Sequence, residues 1–168
     1  MKKNLLTAAI LGASALALSG PPQAQTTVAP TPQVPASVDK LSSGDRGFLS
    51  DAARSGHLEI AGSKLALEKS ANADVKKFAR TMNNDHTEVG QKVVALNKNK
   101  GYEAPTEPSL VQSAKLKVLG LRDEGFDKGY SREIGVSAHE DAVKLFEKAS
   151  RDAKDPDVKK FATTRVQV

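Results

Sequence analysis

Apolar side chains recur every three or four residues along most of the chain, which is the pattern of amphipathic helices. The first pattern follows a cap formed by Ser42 or Ser43 and should end near Ser70. The second starts at Asp74, a good N-cap residue, and stops at Gly101. Because the connection between them is so short, the sequence predicts two antiparallel neighbouring helices.

Further helical patterns follow in the second half of the chain. A short amphipathic segment runs from about Leu110 to Leu121. A third long pattern opens at Phe126 and continues through Ala149, and a fourth opens at Asp157. The prolines of this region lie between the patterns, as helix boundaries require: Pro105, Pro108 and Pro156.

One six-residue motif occurs twice. Asp74-Val-Lys-Lys-Phe-Ala79 recurs as Asp157-Val-Lys-Lys-Phe-Ala162, each time at the start of a helical pattern. This identity indicates a duplicated helical hairpin, and two such hairpins make an all-α four-helix bundle. With no Trp, two Tyr and five Phe, the chain must build its core mainly from Ala, Val and Leu, which suits closely packed helices.

The N-terminal region has a different composition. Lys2 and Lys3 precede an uncharged apolar run from Leu5 to Leu18, which is typical of a secretory signal peptide. The run of about 14 residues is shorter than the roughly 20 that span a bilayer, so we expect no transmembrane span in the mature chain. The following Pro-rich stretch cannot bury enough apolar surface to order itself.

We therefore divide the chain into a signal peptide over residues 1–24, a Pro-rich flexible linker over 25–41 and a helical bundle domain over 42–168. The position of signal cleavage stays open between Ser19 and Ala24. This organisation predicts an exported protein of the periplasm or outer envelope.

Charge and residue usage exclude several classes of function. The net charge of +5 falls to +3 once Lys2 and Lys3 leave with the leader, which is too little to argue for nucleic-acid binding. The absence of cysteine excludes disulfides, thiol catalysis and iron–sulfur clusters. No catalytic triad, Gly-rich phosphate loop or zinc-protease motif is present, so the sequence offers no residues for a hydrolase or kinase activity.

Four polar residues interrupt the apolar faces of the predicted helices. Glu59 lies in the first, Asp85 and His86 in the second, and His139 in the third. Glu59 and His86 are each about 13 residues from the first hairpin turn, so both stand roughly 20 Å from it. His139 lies at a similar distance from the turn of the second hairpin. The residue that faces it on the fourth helix would be near position 168 or just beyond.

Carboxylates and imidazoles at one level of a helical bundle are the ligands that iron, manganese or zinc requires. The sequence therefore predicts a transition-metal site formed by Glu59, Asp85, His86 and His139. The alternative is a buried hydrogen-bonded layer that fixes helix register in a structural or interaction module of the envelope. His57 faces away from this stripe and is expected at the surface.

Several motifs in combination resemble a known family: Phe48-Leu-x-x-Ala-Ala53, His57-Leu-Glu-Ile60, Val75-Lys-Lys-Phe-Ala79, Asn84-Asp-His86, Gly125-Phe-Asp127 with Tyr130, and His139 with Phe146. From about Asp45 to Ala162 the chain is similar to a bacterial secreted ferritin-like domain of unknown function, whose members are often labelled outer membrane proteins. The resemblance implies a signal peptide followed by a ferritin-like four-helix bundle without an established activity. It also implies recurring polar positions at Glu59, Asp85, His86 and His139. We therefore expect a bundle that serves metal handling or envelope stress.

The end of the sequence departs from this family pattern. In the family, the fourth helix continues through a Leu-Pro segment to a further His, whereas here Ala162 is followed only by Thr-Thr-Arg-Val-Gln-Val168. We expect a truncated fourth helix that leaves apolar surface of the first three helices exposed near the site. Reduced stability, or a homodimer in which a second chain covers the gap, should follow.

Overall fold

The computed structural model describes residues 40–166, which are all-helical and contain no strand within that range. The elements are, in chain order, α1 (Ser43–Lys69), α2 (Ala73–Asn99), α3 (Leu110–Gly120), α4 (Phe126–Tyr130), a π-helical segment (Ser131–Ala138), α5 (His139–Asp152) and α6 (Pro156–Val166). The predicted signal peptide and most of the predicted linker lie outside the described residues. No helix in the described part is long and apolar enough to cross a membrane.

The helices pack as two hairpins. Helix α1 packs along α2, as the short connection between them predicts, and α5 packs along α6. Helix α1 is the central element because it also contacts α3, α4, the π-helical segment and α5. Side chains on α1 can therefore meet side chains from both hairpins.

Equivalent side-chain caps begin both copies of the repeated motif. Asn72 Oδ1 accepts hydrogen bonds from the backbone N–H groups of residues 74 and 75, at 2.8 and 3.3 Å. Asp155 Oδ1 accepts from the N–H groups of residues 157 and 158, at 2.9 and 3.1 Å. The predicted N-cap at Asp74 was therefore wrong, because Asn72 caps α2 two residues earlier. Helix α6 begins at Pro156, one residue before the predicted opening at Asp157. Pro156 occupies the first position of α6, where its missing N–H removes no helical hydrogen bond.

Two apolar clusters lie along α1. In the first, the Phe48 ring packs edge-on against Phe146 with ring centroids 5.1 Å apart, and Leu49 is fully buried. Leu41 is also buried in this cluster, so ordered packing begins inside the segment predicted as linker. The second cluster surrounds Tyr130 and contains Ala66 of α1. The buried polar residues Glu59 and Ser63 lie on α1 between Phe48 and Ala66.

Apolar side chains are exposed on α2, the π-helical segment and α5. Phe78, Val136 and Val143 are 41%, 51% and 42% exposed. The homodimer stays a prediction.

Candidate metal centre

Three side chains from three helices meet at one level. They are Glu59 of α1, His86 of α2 and His139, the first residue of α5, and their candidate ligand atoms all lie within 4.8 Å of one another. His86 Nδ1 lies 2.5 Å from Glu59 Oε2, and His139 Nδ1 lies 3.9 Å from Glu59 Oε1. The two imidazole centroids are 5.8 Å apart and the rings are nearly perpendicular.

Glu59 is the buried member of this group. Its side chain is 1% exposed, against 15% for His86 and 51% for His139. Oε2 is engaged by His86, whereas Oε1 is buried and makes no hydrogen bond to any described residue. Burying a carboxylate oxygen without a partner is unfavourable, so this atom provides a strong acceptor site for a cation.

Asp85 and His57 lie outside the group. Asp85 is exposed, and successive residues of an α-helix differ by about 100° around its axis, so Asp85 and His86 cannot both face Glu59. The structure brings His86, and not Asp85, into contact with Glu59. His57, which we expected at the surface, is partly buried, with Nε2 3.0 Å from the carbonyl oxygen of Pro105.

A second buried polar pair lies one turn further along α1. Ser63 Oγ and Tyr130 Oη are 3.2 Å apart, and both residues are fully buried. Burial raises the pKa of the Tyr130 phenol; the Ser63 hydrogen bond lowers this pKa, and the negative charge of Glu59 raises it. The pattern of apolar positions did not predict this pair. The available signal was the position of Ser63, four residues after Glu59 and hence on the same helix face.

The three candidate ligands line a cavity of about 530 Å³ whose walls come from α1, α2, α5 and α6. Asp85, Glu88 and Glu147 also line it, together with Arg165 from α6. Since His139 is half exposed, a small ion can reach the ligand atoms from solvent.

The donor set suits a divalent transition metal. Two imidazoles and one carboxylate form the ligand set of several zinc and non-haem iron sites that keep open coordination positions. Bonds of about 2.0–2.2 Å to the metal place ligand atoms roughly 3–3.5 Å from each other. The present Oε2–Nδ1 and Oε1–Nδ1 separations of 2.5 and 3.9 Å bracket that range, so small side-chain rotations suffice.

Close packing between α1 and the π-helical segment positions His139. A π-helix has a wider turn than an α-helix, so the segment sets the direction in which the following residue leaves the backbone. Gly62 of α1 faces Ile134 in this segment, and a Cβ at position 62 would lie 2.8 Å from Ile134 Cγ1 and 3.0 Å from Cδ1. The missing side chain therefore allows α1 and the segment to approach.

We expect Gly62→Ala to destabilise the fold by about 1–3 kcal/mol, since Ile134 must move to accept the methyl group. The shift should also displace His139 and weaken metal binding. Gly47→Ala, in the same helix, is the control because an added Cβ there meets nothing within 4 Å. That change should raise stability by up to about 1 kcal/mol. Urea unfolding and zinc titration of both variants check this, and equal stability of the two would contradict it.

These features define an all-helical protein with a candidate metal site of two histidines and one carboxylate, placed where two hairpins meet. Residues 30–168 match the model of the family described as Domain of unknown function (DUF4142), and the chain belongs to this family. Comparisons with curated proteins and with solved structures find no match. The predicted membership of a family of unknown function is therefore confirmed.

Proposed function

We propose that this protein is an exported, ferritin-like helical bundle that binds one divalent transition-metal ion through Glu59, His86 and His139. The observation that carries the proposal is the buried Oε1 of Glu59, which accepts no hydrogen bond from any described residue and lies beside two imidazoles. An unsatisfied buried acceptor lowers the stability of the fold, so a purely structural role for the Glu59–His86 pair does not account for it. A bound cation would satisfy both carboxylate oxygens.

The donor set also restricts which metals suit the site. Imidazole nitrogens suit zinc, iron and copper better than calcium or magnesium, and affinity for divalent ions rises along the first transition series towards copper. We therefore expect zinc and cobalt to bind more tightly than manganese. The uncharged apolar run after Lys3 supports a location in the periplasm or outer envelope, where the protein would serve metal handling or envelope stress.

The alternative function is that of a structural module in which polar side chains fix the helix register. The Glu59–His86 pair and the Ser63–Tyr130 hydrogen bond would then form a buried polar layer between α1 and its neighbours. In that case the three candidate ligands would bind no metal, and the cavity beside them would contain only solvent.

Zinc titration of the full chain after treatment with a chelator separates these functions. We expect one zinc ion per chain and a melting temperature raised by roughly 10 °C at a hundredfold excess over the dissociation constant. Affinity should fall as the pH is lowered, because the imidazoles must give up protons to bind. His57→Asn is the control and should bind zinc normally, since His57 contacts Pro105 instead. Absence of binding heat and of any melting shift would favour the structural module.

A further inference from the structure

The α6 side of the cavity contains an arginine whose Nε–H donates no hydrogen bond within the described part of the chain. Arg165 lines the same cavity as the three candidate ligands. Its Nε atom is buried and makes no hydrogen bond to a described residue. No ion pair within residues 40–166 includes it. The guanidinium carbon lies 6.0 Å from the centroid of the Phe161 ring, a separation at which cation–π attraction helps to hold it.

The charges around the cavity determine which ligand would satisfy Arg165. A divalent ion on Glu59 and two neutral imidazoles leaves one positive charge at the metal, and Arg165 adds a second on the cavity wall. An anion between them would neutralise the metal and could accept hydrogen bonds from the planar guanidinium.

Carboxylates at the cavity limit the size and charge of that anion. Asp85, Glu88 and Glu147 line it. The charges of these carboxylates would repel a polyanion such as a nucleotide or polyphosphate. A small anion of single charge meets the least repulsion.

We infer that the cavity binds a small monoanion, such as a simple carboxylate, which coordinates the open positions of the metal and is held by the guanidinium of Arg165. This inference rests on the proposed function, because the metal supplies one of the two contacts. Arg165 is then a binding residue for the second ligand and has no role in holding the metal.

The test uses the full chain loaded with cobalt(II), whose visible absorption bands report the coordination of the ion, and sodium formate and sodium azide as probes. Each anion should change the cobalt bands saturably. Arg165→Gln should weaken anion binding about tenfold, which corresponds to about 1.4 kcal/mol, and leave cobalt affinity unchanged. Arg165→Lys should restore part of the affinity, because it keeps the charge but loses the planar pair of donors.

Arg151→Gln is the matched control, since Arg151 is exposed on α5 and does not line the cavity. It should bind both anions as the unmodified chain does, and circular dichroism should show equal helicity for all variants. Cobalt bands that no anion changes would overturn this inference and leave the proposed metal site standing. Equal anion affinity in Arg165→Gln and the unmodified chain would overturn the role of Arg165. Absence of any protein-bound cobalt spectrum would overturn the proposed function together with this inference.

Discussion

Replacing Glu59 by Gln should weaken zinc binding at least a hundredfold, a loss of about 2.7 kcal/mol or more. The amide cannot supply the negative charge that balances the cation, and Glu59 is the only carboxylate in the group of three ligands found among the described residues. Gln has the same shape and can still accept a hydrogen bond from His86. We therefore expect the free energy of unfolding of the metal-free protein to change by less than about 1 kcal/mol.

The matched control is Glu140→Gln, which makes the same chemical change at an exposed position next to His139. Isothermal titration with zinc should give the unmodified affinity for this variant. Combining Glu59→Gln with His86→Asn should abolish zinc uptake altogether. A Glu59→Gln protein that binds zinc as tightly as the Glu140→Gln control would show that Glu59 is not a ligand.

Replacing Asp45 by Ala should destabilise the fold by about 3 kcal/mol, because hydrogen bonds to a charged, buried acceptor contribute about 1.5–3 kcal/mol each. Asp45 is 2% exposed at the start of α1. Its two oxygens accept from the backbone N–H groups of Lys154 and Asp155, both at 3.1 Å, and Oδ2 also accepts from Ser42 Oγ at 2.8 Å. Asp45 thereby ties α1 to the turn between α5 and α6.

Asp51→Ala is the control for this prediction, since Asp51 lies on the same helix, is exposed and makes only a 3.9 Å ion pair with Arg54. It should change stability by less than about 0.5 kcal/mol. The stability of Asp45→Asn should lie between those of Asp45→Ala and Asp51→Ala, because the amide oxygen can still accept one hydrogen bond. Urea unfolding measures the differences, and hydrogen exchange should show faster exchange of the Lys154 and Asp155 amides in Asp45→Ala. Equal stability of Asp45→Ala and Asp51→Ala would contradict this role.

The helices could be predicted because the signals that begin and end them are local. Ser42 caps α1 as predicted, and the chain turns after α2 at Gly101, whose φ of +76° favours glycine. The start of α2 was misplaced because Asn72 and Asp74 are both good N-cap residues. Only the backbone conformation shows which of the two accepts the first hydrogen bonds.

The candidate site could be predicted in part, because two antiparallel helices joined by a short turn place residues at equal distances from the turn side by side. The equal distances of Glu59 and His86 from the turn predicted that the two residues are neighbours, and they are in contact. The contribution of Arg165 depends on how α6 packs, which no local pattern indicates. The close approach of Ile134 in the π-helical segment to Gly62 of α1 is likewise a tertiary contact. Residues that act through contacts between distant elements are the ones that periodicity misses.

X-ray absorption at the zinc edge of the metal-loaded full chain shows which side chains coordinate the ion. The chain has three histidines, so the number of coordinated imidazoles can be assigned by replacing them one at a time. We expect two imidazoles and a carboxylate oxygen bound to the zinc. This coordination should be unchanged in His57→Asn and reduced to one imidazole in His86→Asn or His139→Asn. A zinc shell of water oxygens alone, or an imidazole signal lost only with His57, would contradict it.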